Sequence, residues 1–139
     1  MPAYDEVEVG TELPARTFPI VRADLVRYCG ASGDLNVIHW NERIAKAVGL
    51  PDVIAHGMLT MAKAGTAVTD WAGDPGAVES YSVRFSRPVV VPDDDQGALL
   101  TVRGTVEDKR ADGRVVVGLV ATVDDVKVLM AAKAVVRLR

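Results

Sequence analysis

The chain has 139 residues, of which 49% are apolar and 25% charged, and its formal net charge is −3. Those values describe one folded domain over residues 1–139, long enough to bury a core without staples, and they exclude a disordered chain. The acidic balance gives no general basis for binding nucleic acid or an anionic membrane.

Cys29 is the single cysteine, so an internal disulfide and a cysteine-based zinc cluster are both excluded. It reads as a small buried hydrophobe on a helix; a nucleophile paired with His39 is the weaker alternative. Residues Met1–Glu8 hold no basic start and no apolar run, and no window reaches the length of a membrane span. A cytoplasmic protein without a signal peptide is therefore expected.

In chain order, a strand is predicted over Leu13–Val21, then a short helix over Asp24–Ala31 with Leu25, Val26 and Cys29 on one side. A loop rich in turn formers follows, Ser32-Gly33-Asp34-Leu35-Asn36. Asn41 is a candidate N-cap for a helix over Glu42–Val48, closed by Gly49 with Pro51 just beyond. From Gly57 to Trp71 the only charges are Lys63 and Asp70, and a helix apolar nearly all round is a buried helix. Gly65 inside it costs roughly 1 kcal/mol of helix propensity and would let another backbone come close.

After the turn Asp74-Pro75-Gly76 the period switches to two. Tyr81, Val83 and Phe85 alternate with polar residues, as do Val115, Val117, Leu119, Ala121 and Val123 behind a hairpin signal at Asp112-Gly113. In a last long strand every even position from Val126 to Leu138 is apolar, with Lys127, Lys133 and Arg137 opposite. Asp93-Asp94-Asp95 reads as a solvated loop. Long antiparallel strands around one buried helix make an α+β domain in which a sheet wraps that helix.

The chemistry-bearing residues are concentrated. Both histidines, His39 and His56, fall in one stretch, with Asp34 five residues before the first. A carboxylate and an imidazole are the minimum equipment for moving protons near neutral pH. On a regular helix two residues five apart would point about 140° apart. Asp34 and His39 therefore converge only if Gly33 and Asn36 bend the path between them. Taken singly, Asp34 also reads as a turn cap and His39 as a packed, hydrogen-bonded residue. Gly57 opens the buried helix, whose first N–H groups have no internal partner, and a carbonyl oxygen held there would be polarised. One such donor is worth about 3 kcal/mol in a transition state. A metal site from Asp34, His39 and His56 lacks any close ligand spacing, and no metal or cofactor is expected.

The segments Ser32-Gly33-Asp34-Leu35-Asn36-Val37-Ile38-His39, Gly49-Leu50, Ala55-His56-Gly57-Met58-Leu59, Trp71–Val78 and Tyr81–Phe85 strongly resemble the MaoC-like, R-specific enoyl-thioester hydratase and dehydratase family. Within it the chain looks most like the catalytic B-type subunits of actinobacterial (3R)-hydroxyacyl-ACP dehydratases. The resemblance implies a hot-dog fold, an antiparallel sheet wrapped around a long central helix, with two such units joined into one sheet. It implies reversible loss of water from a (3R)-3-hydroxyacyl thioester of acyl carrier protein or coenzyme A. Asp34 and His39 take the catalytic positions and Gly57 the oxyanion position, with Asn36, His56 and Met58 on the substrate side. The partner is a second copy or a sister hot-dog subunit. Val37 stands where the family usually has Pro, and Gly65 where some members have Ser. A hot-dog thioesterase and a non-catalytic acyl-binding subunit are the alternatives; the first commonly needs an acid on the central helix, and none lies between Gly57 and Thr69.

Overall fold

The computed structural model describes residues 2–139. Strand β1 (Arg16–Ile20) leads into α1 (Arg22–Ser32), a single 3-10 turn (Val37–His39), α2 (Glu42–Ala47) and the long α3 (Gly57–Ala72). Strands β2 (Val78–Phe85), β3 (Ala98–Arg110), β4 (Arg114–Val123), the two-residue β5 (Val126–Lys127) and β6 (Leu129–Arg137) complete the order. All pair antiparallel in the sequence β1-β3-β4-β6-β2, with β5 beside β4. The result is the α+β hot-dog arrangement, with α3 packed against β2, β3, β4 and β6.

The helices start and stop where local chemistry dictates. The Asp24 carboxylate accepts the Val21 N–H at 3.0 Å, satisfying a donor at the start of α1. Gly33, at φ +74°, closes that helix with its N–H on the Cys29 carbonyl. Asn41 caps α2 by accepting the Ile44 N–H at 3.1 Å. In α1 the buried residues are Leu25 and Cys29, one turn apart, while Val26 is exposed. The expected three-residue apolar side is thus a two-residue one, because Val26 lies about 100° round the helix from Leu25.

Leu59, Ala64, Ala67, Val68 and Ala72 of α3 are buried, facing the inward rows of the sheet: Leu100, Val102 and Val106 on β3, Val115, Val117, Leu119 and Ala121 on β4, Ala132, Ala134 and Val136 on β6. Each such fully buried Val or Leu contributes roughly 1.5–3 kcal/mol, so this helix-on-sheet layer dominates stability. Small alanines on α3 let the helix sit close to the sheet. One flank of α3 stays uncovered: Met58 is 55% exposed and Ala62 is exposed beside it. The helix is therefore buried on one side and not all round, since the sheet wraps only that side. Gly65 admits the Tyr81 ring and not a backbone; a Cβ there would stand 3.0 Å from Tyr81 Cε1.

The expected single last strand is broken. Val128 and Leu129 are both buried, Met130 is exposed, and Ala131 has φ +47°, after which inward burial resumes at Ala132. The register of β2 against β6 shifts at the same place, between Ser82 and Arg84. The bulge leaves two successive side chains, Met130 and Ala131, on the outer face and ends the strict alternation. Val126, in the separate two-residue β5, is exposed as well, so the even positions Val126 and Met130 both depart from the expected inward face.

Candidate active site

Asp34 and His39 do converge. After the left-handed Gly33, the Asp34 Oδ1 accepts the Asn36 N–H at 3.1 Å, and the Asn36 Oδ1 accepts the Ile38 N–H at 3.3 Å. Two successive side-chain turns thus replace the helix that would have held the pair apart. The Asp34 Oδ2 lies 3.9 Å from the His39 Nε2. That gap exceeds a hydrogen bond and admits one oxygen atom in contact with both groups.

His39 is buried except at its working edge, and its Nδ1 meets the Ile54 carbonyl at 2.7 Å. A carbonyl only accepts, so Nδ1 carries the hydrogen and the neutral ring presents the Nε2 lone pair toward Asp34. The Ile54 segment is itself fixed: Ala55 N–H and Val91 N–H bond across to Val89 and Val53, and Arg22 joins the Val91 carbonyl at 2.7 Å to Asp52 at 2.8 Å.

A cavity of about 340 Å³ opens beside the imidazole, walled by His39, Ile54, Gly57, Thr60, Phe85 and Leu129 among others, with Arg87 at its edge. Gly57 begins α3, and its N–H has no acceptor among the described residues. Gly57, at the positive end of a 16-residue helix, lines the same space as the imidazole. Asp34 lies outside the wall, half exposed, and reaches the space through its distance to His39.

The remaining expected residues sit elsewhere. Asn36 spends its side chain capping the 3-10 turn. Met58 points to the uncovered flank of α3 and is absent from the cavity wall. His56 is 2% exposed and stands behind His39, their rings stacked with centroids 3.8 Å apart. Its Nε2 donates to the Asp34 carbonyl at 3.2 Å, which leaves Nδ1 buried with no partner. Burial pushes the His56 imidazole below its usual range, and the Asp34 carbonyl offsets this in part. Asp34, His39 and His56 offer ligand atoms within 4.8 Å of one another. With His56 turned to a carbonyl and buried, the accessible donors number two, short of the three that a catalytic zinc site takes. Cys29 is buried at 3.6 Å from His56 and has no contact with His39, so its expected role as a packing residue holds.

Thr60 is the residue that sequence reasoning passed over. Its side chain is buried in the cavity wall, and its one contact, with the His56 carbonyl, is long at 3.5 Å. Thr60 is the first polar residue after Gly57, one turn into the helix, and that position was the available signal. Val128 lies on the expected inward parity, whereas Leu129 reaches the wall through the break in alternation before Ala132, which no pattern announces.

A profile of the MaoC-like domain matches residues 6–125. The 3-hydroxyacyl-thioester dehydratase X of Mycobacterium tuberculosis is 46% identical over 79 residues, 57% of this chain and 27% of that protein. An (R)-specific enoyl-CoA hydratase of Rhodospirillum rubrum is 33% identical over 92 residues, 66% of this chain and 63% of that protein. The solved structure of a MaoC-like dehydratase superposes with a TM-score of 0.95 at 42% identity, covering 99% of this chain and 42% of that one. This chain thus spans less than two thirds of each of these relatives. A chain of the ChsH1-ChsH2 complex from Mycobacterium tuberculosis, at 23% identity and a TM-score of 0.81 over 95% of this chain and 98% of that one, is alike in fold alone. The profile covers far more than half of the sequence and the fold agrees along nearly all of it: the chain belongs to the MaoC-like domain family.

Proposed function

We propose that this chain is a hydro-lyase that reversibly converts (3R)-3-hydroxyacyl thioesters into trans-2-enoyl thioesters and water. The observation that carries the reading is the 3.9 Å opening between Asp34 and His39, beside a cavity that also presents the Gly57 N–H. In the dehydration direction one member of the pair takes the C2 proton and the other protonates the C3 hydroxyl as it leaves. The water formed occupies the opening between them. Enolate-like charge gathers on the thioester oxygen, where the Gly57 N–H and the start of α3 stabilise it. The C2–H electron pair becomes the C2=C3 double bond as the C3–O bond breaks and the protonated hydroxyl leaves as water; oxidation state is unchanged overall, so the chemistry calls for no redox cofactor.

The relatives named for 3-hydroxyacyl thioesters and enoyl-CoA support the substrate class. For the carrier, coenzyme A or acyl carrier protein, the supporting feature is Arg87 at the cavity edge, which has no carboxylate within 4 Å among the described residues. For assembly with a second hot-dog unit, identical or sister, β2 is paired only with β6 and has a free edge. Phe85 at 51% and Met130 at 47% are exposed near that edge, as is Met58 on α3. Apolar side chains beside an open strand are what a continuous sheet across two units would cover.

Incubating the chain, alone and with a sister subunit, with 3-hydroxyacyl thioesters while following enoyl absorbance and free thiol tests the reading. Enoyl formation without thiol is expected. Thiol release without enoyl would make it a thioesterase, although Asp70, the acid on α3, is far down the helix and paired with Arg16 at 2.8 Å.

A further inference from the structure

We propose that His56 is a positioning residue that ties the imidazole, the carboxylate loop and the oxyanion N–H of the site into one rigid unit. The inference rests on the dehydratase reading and deepens it. His56 cannot itself be a catalytic residue, since it is 2% exposed and outside the cavity wall.

Three contacts leave His56, and each reaches a different part of the site. Its ring lies on the His39 ring at 3.8 Å with the planes 23° apart, so His39 has a flat surface behind it and cannot tip away from Asp34. Its Nε2–H holds the Asp34 main-chain carbonyl at 3.2 Å, anchoring the loop whose carboxylate must stay 3.9 Å from His39. Its backbone is the N-cap of α3, so the next N–H along the chain is that of Gly57. One side chain and its own backbone thereby set the relative placement of all three working groups.

The orphaned Nδ1 shows that this use overrides packing. An aromatic hydrocarbon would fill the same volume without leaving a buried lone pair unpaired. What a phenyl ring could not supply is the N–H to Asp34, and what an amide could not supply is the face against His39.

The surroundings also keep His56 neutral while His39 works. The groups facing it are the Cys29 thiol at 3.6 Å and the Tyr28 ring at 4.7 Å from α1, the Asp34 carbonyl from the loop, the His39 ring, and Thr60 of its own helix, whose hydroxyl meets the His56 carbonyl. The Asp34 carboxylate is the only opposite charge among them, and it points at His39. A second cation in ring contact with His39 would oppose the first.

Two substitutions separate the contacts: His56→Phe keeps the face and loses the N–H, and His56→Gln keeps an N–H and loses the face. Both are expected to lower kcat about 10- to 100-fold, the scale of a displacement near 1 Å, with KM changed less than threefold. Imidazole NMR of the wild-type chain needs no substrate and reads just two histidines: His56 is expected as the neutral Nε2–H form at the pH of the rate assay. Wild-type kcat in either variant overturns the proposal. So does an activity loss that only tracks folded fraction, or a wild-type His56 that is charged or carries its proton on Nδ1 at that pH. A wild-type chain inactive on hydroxyacyl thioesters would defeat the dehydratase reading, while the NMR result still decides the role of His56.

Discussion

Phe85, at the end of β2, lies across the α-carbon of Gly57, at the start of α3, so closely that an added methyl group would stand 3.1 Å from its ring. Any side chain at this position would crowd the ring. Gly57→Ala pushes the half-exposed ring outward but keeps the N–H, so a modest loss of rate is expected. Gly57→Pro also removes the N–H, at the first helical position, where proline is tolerated and the extended His56 before it is compatible. That variant should fold, by circular dichroism, and lose a further factor of about 10²–10³ in kcat. Equal rates for the two would mean that the N–H does not touch the reacting oxygen.

Asp34→Asn keeps an oxygen to accept the Asn36 N–H, so the turn survives, and the exposed position makes the change in stability small. Turnover should nevertheless fall about 10²–10⁴-fold, as should that of His39→Ala, because each removes one proton-transfer partner. Rates on a 3-hydroxyacyl thioester, with thermal melts as the control, check this. Near-wild-type turnover in either variant removes the mechanism.

Arg87 offers a test of the carrier. Arg87→Ala should raise KM several-fold for a coenzyme A or carrier-protein thioester, and the effect should shrink as salt screens it. A truncated thioester without phosphates should show the same KM with both proteins. An equal change on the truncated substrate would assign Arg87 to the cavity wall alone.

Tyr81 predicts an alkaline limit to stability. Its hydroxyl donates to the Met61 carbonyl at 3.0 Å, and burial pushes its pKa up from 10.0 to about 12. The folded state thus holds the phenol proton longer than the unfolded chain does. The stabilisation is complete below pH 10 and is lost as pH rises toward about 12. Denaturant melts across that window should show the fall in wild type and a flatter line in Tyr81→Phe.

The legible parts of this protein were those written in short range. The bounds of α3 follow from fifteen residues with two charges, and the convergence of Asp34 and His39 from Gly33 and Asn36, because turn chemistry is local. The resemblance placed the sheet around α3 in advance, and the fold bears it out. Val26, the uncovered flank of α3 and the break before Ala132 were misread for one reason. Periodicity tells which residues share a face, while burial depends on what is packed opposite.

The amino-acid sequence by itself determined the three helices, the α+β class and the turn formers between Asp34 and His39, while β3, the longest strand, carried no alternation clear enough to be predicted. What it determined depends on spacing along the backbone, which a linear pattern records. Only the tertiary structure decided that His56 lies behind His39 instead of facing substrate, that Phe85 covers Gly57, and that Val128 and Leu129 complete the cavity. Each of these joins segments far apart in the chain, and side-chain packing between them has no signature in either segment alone.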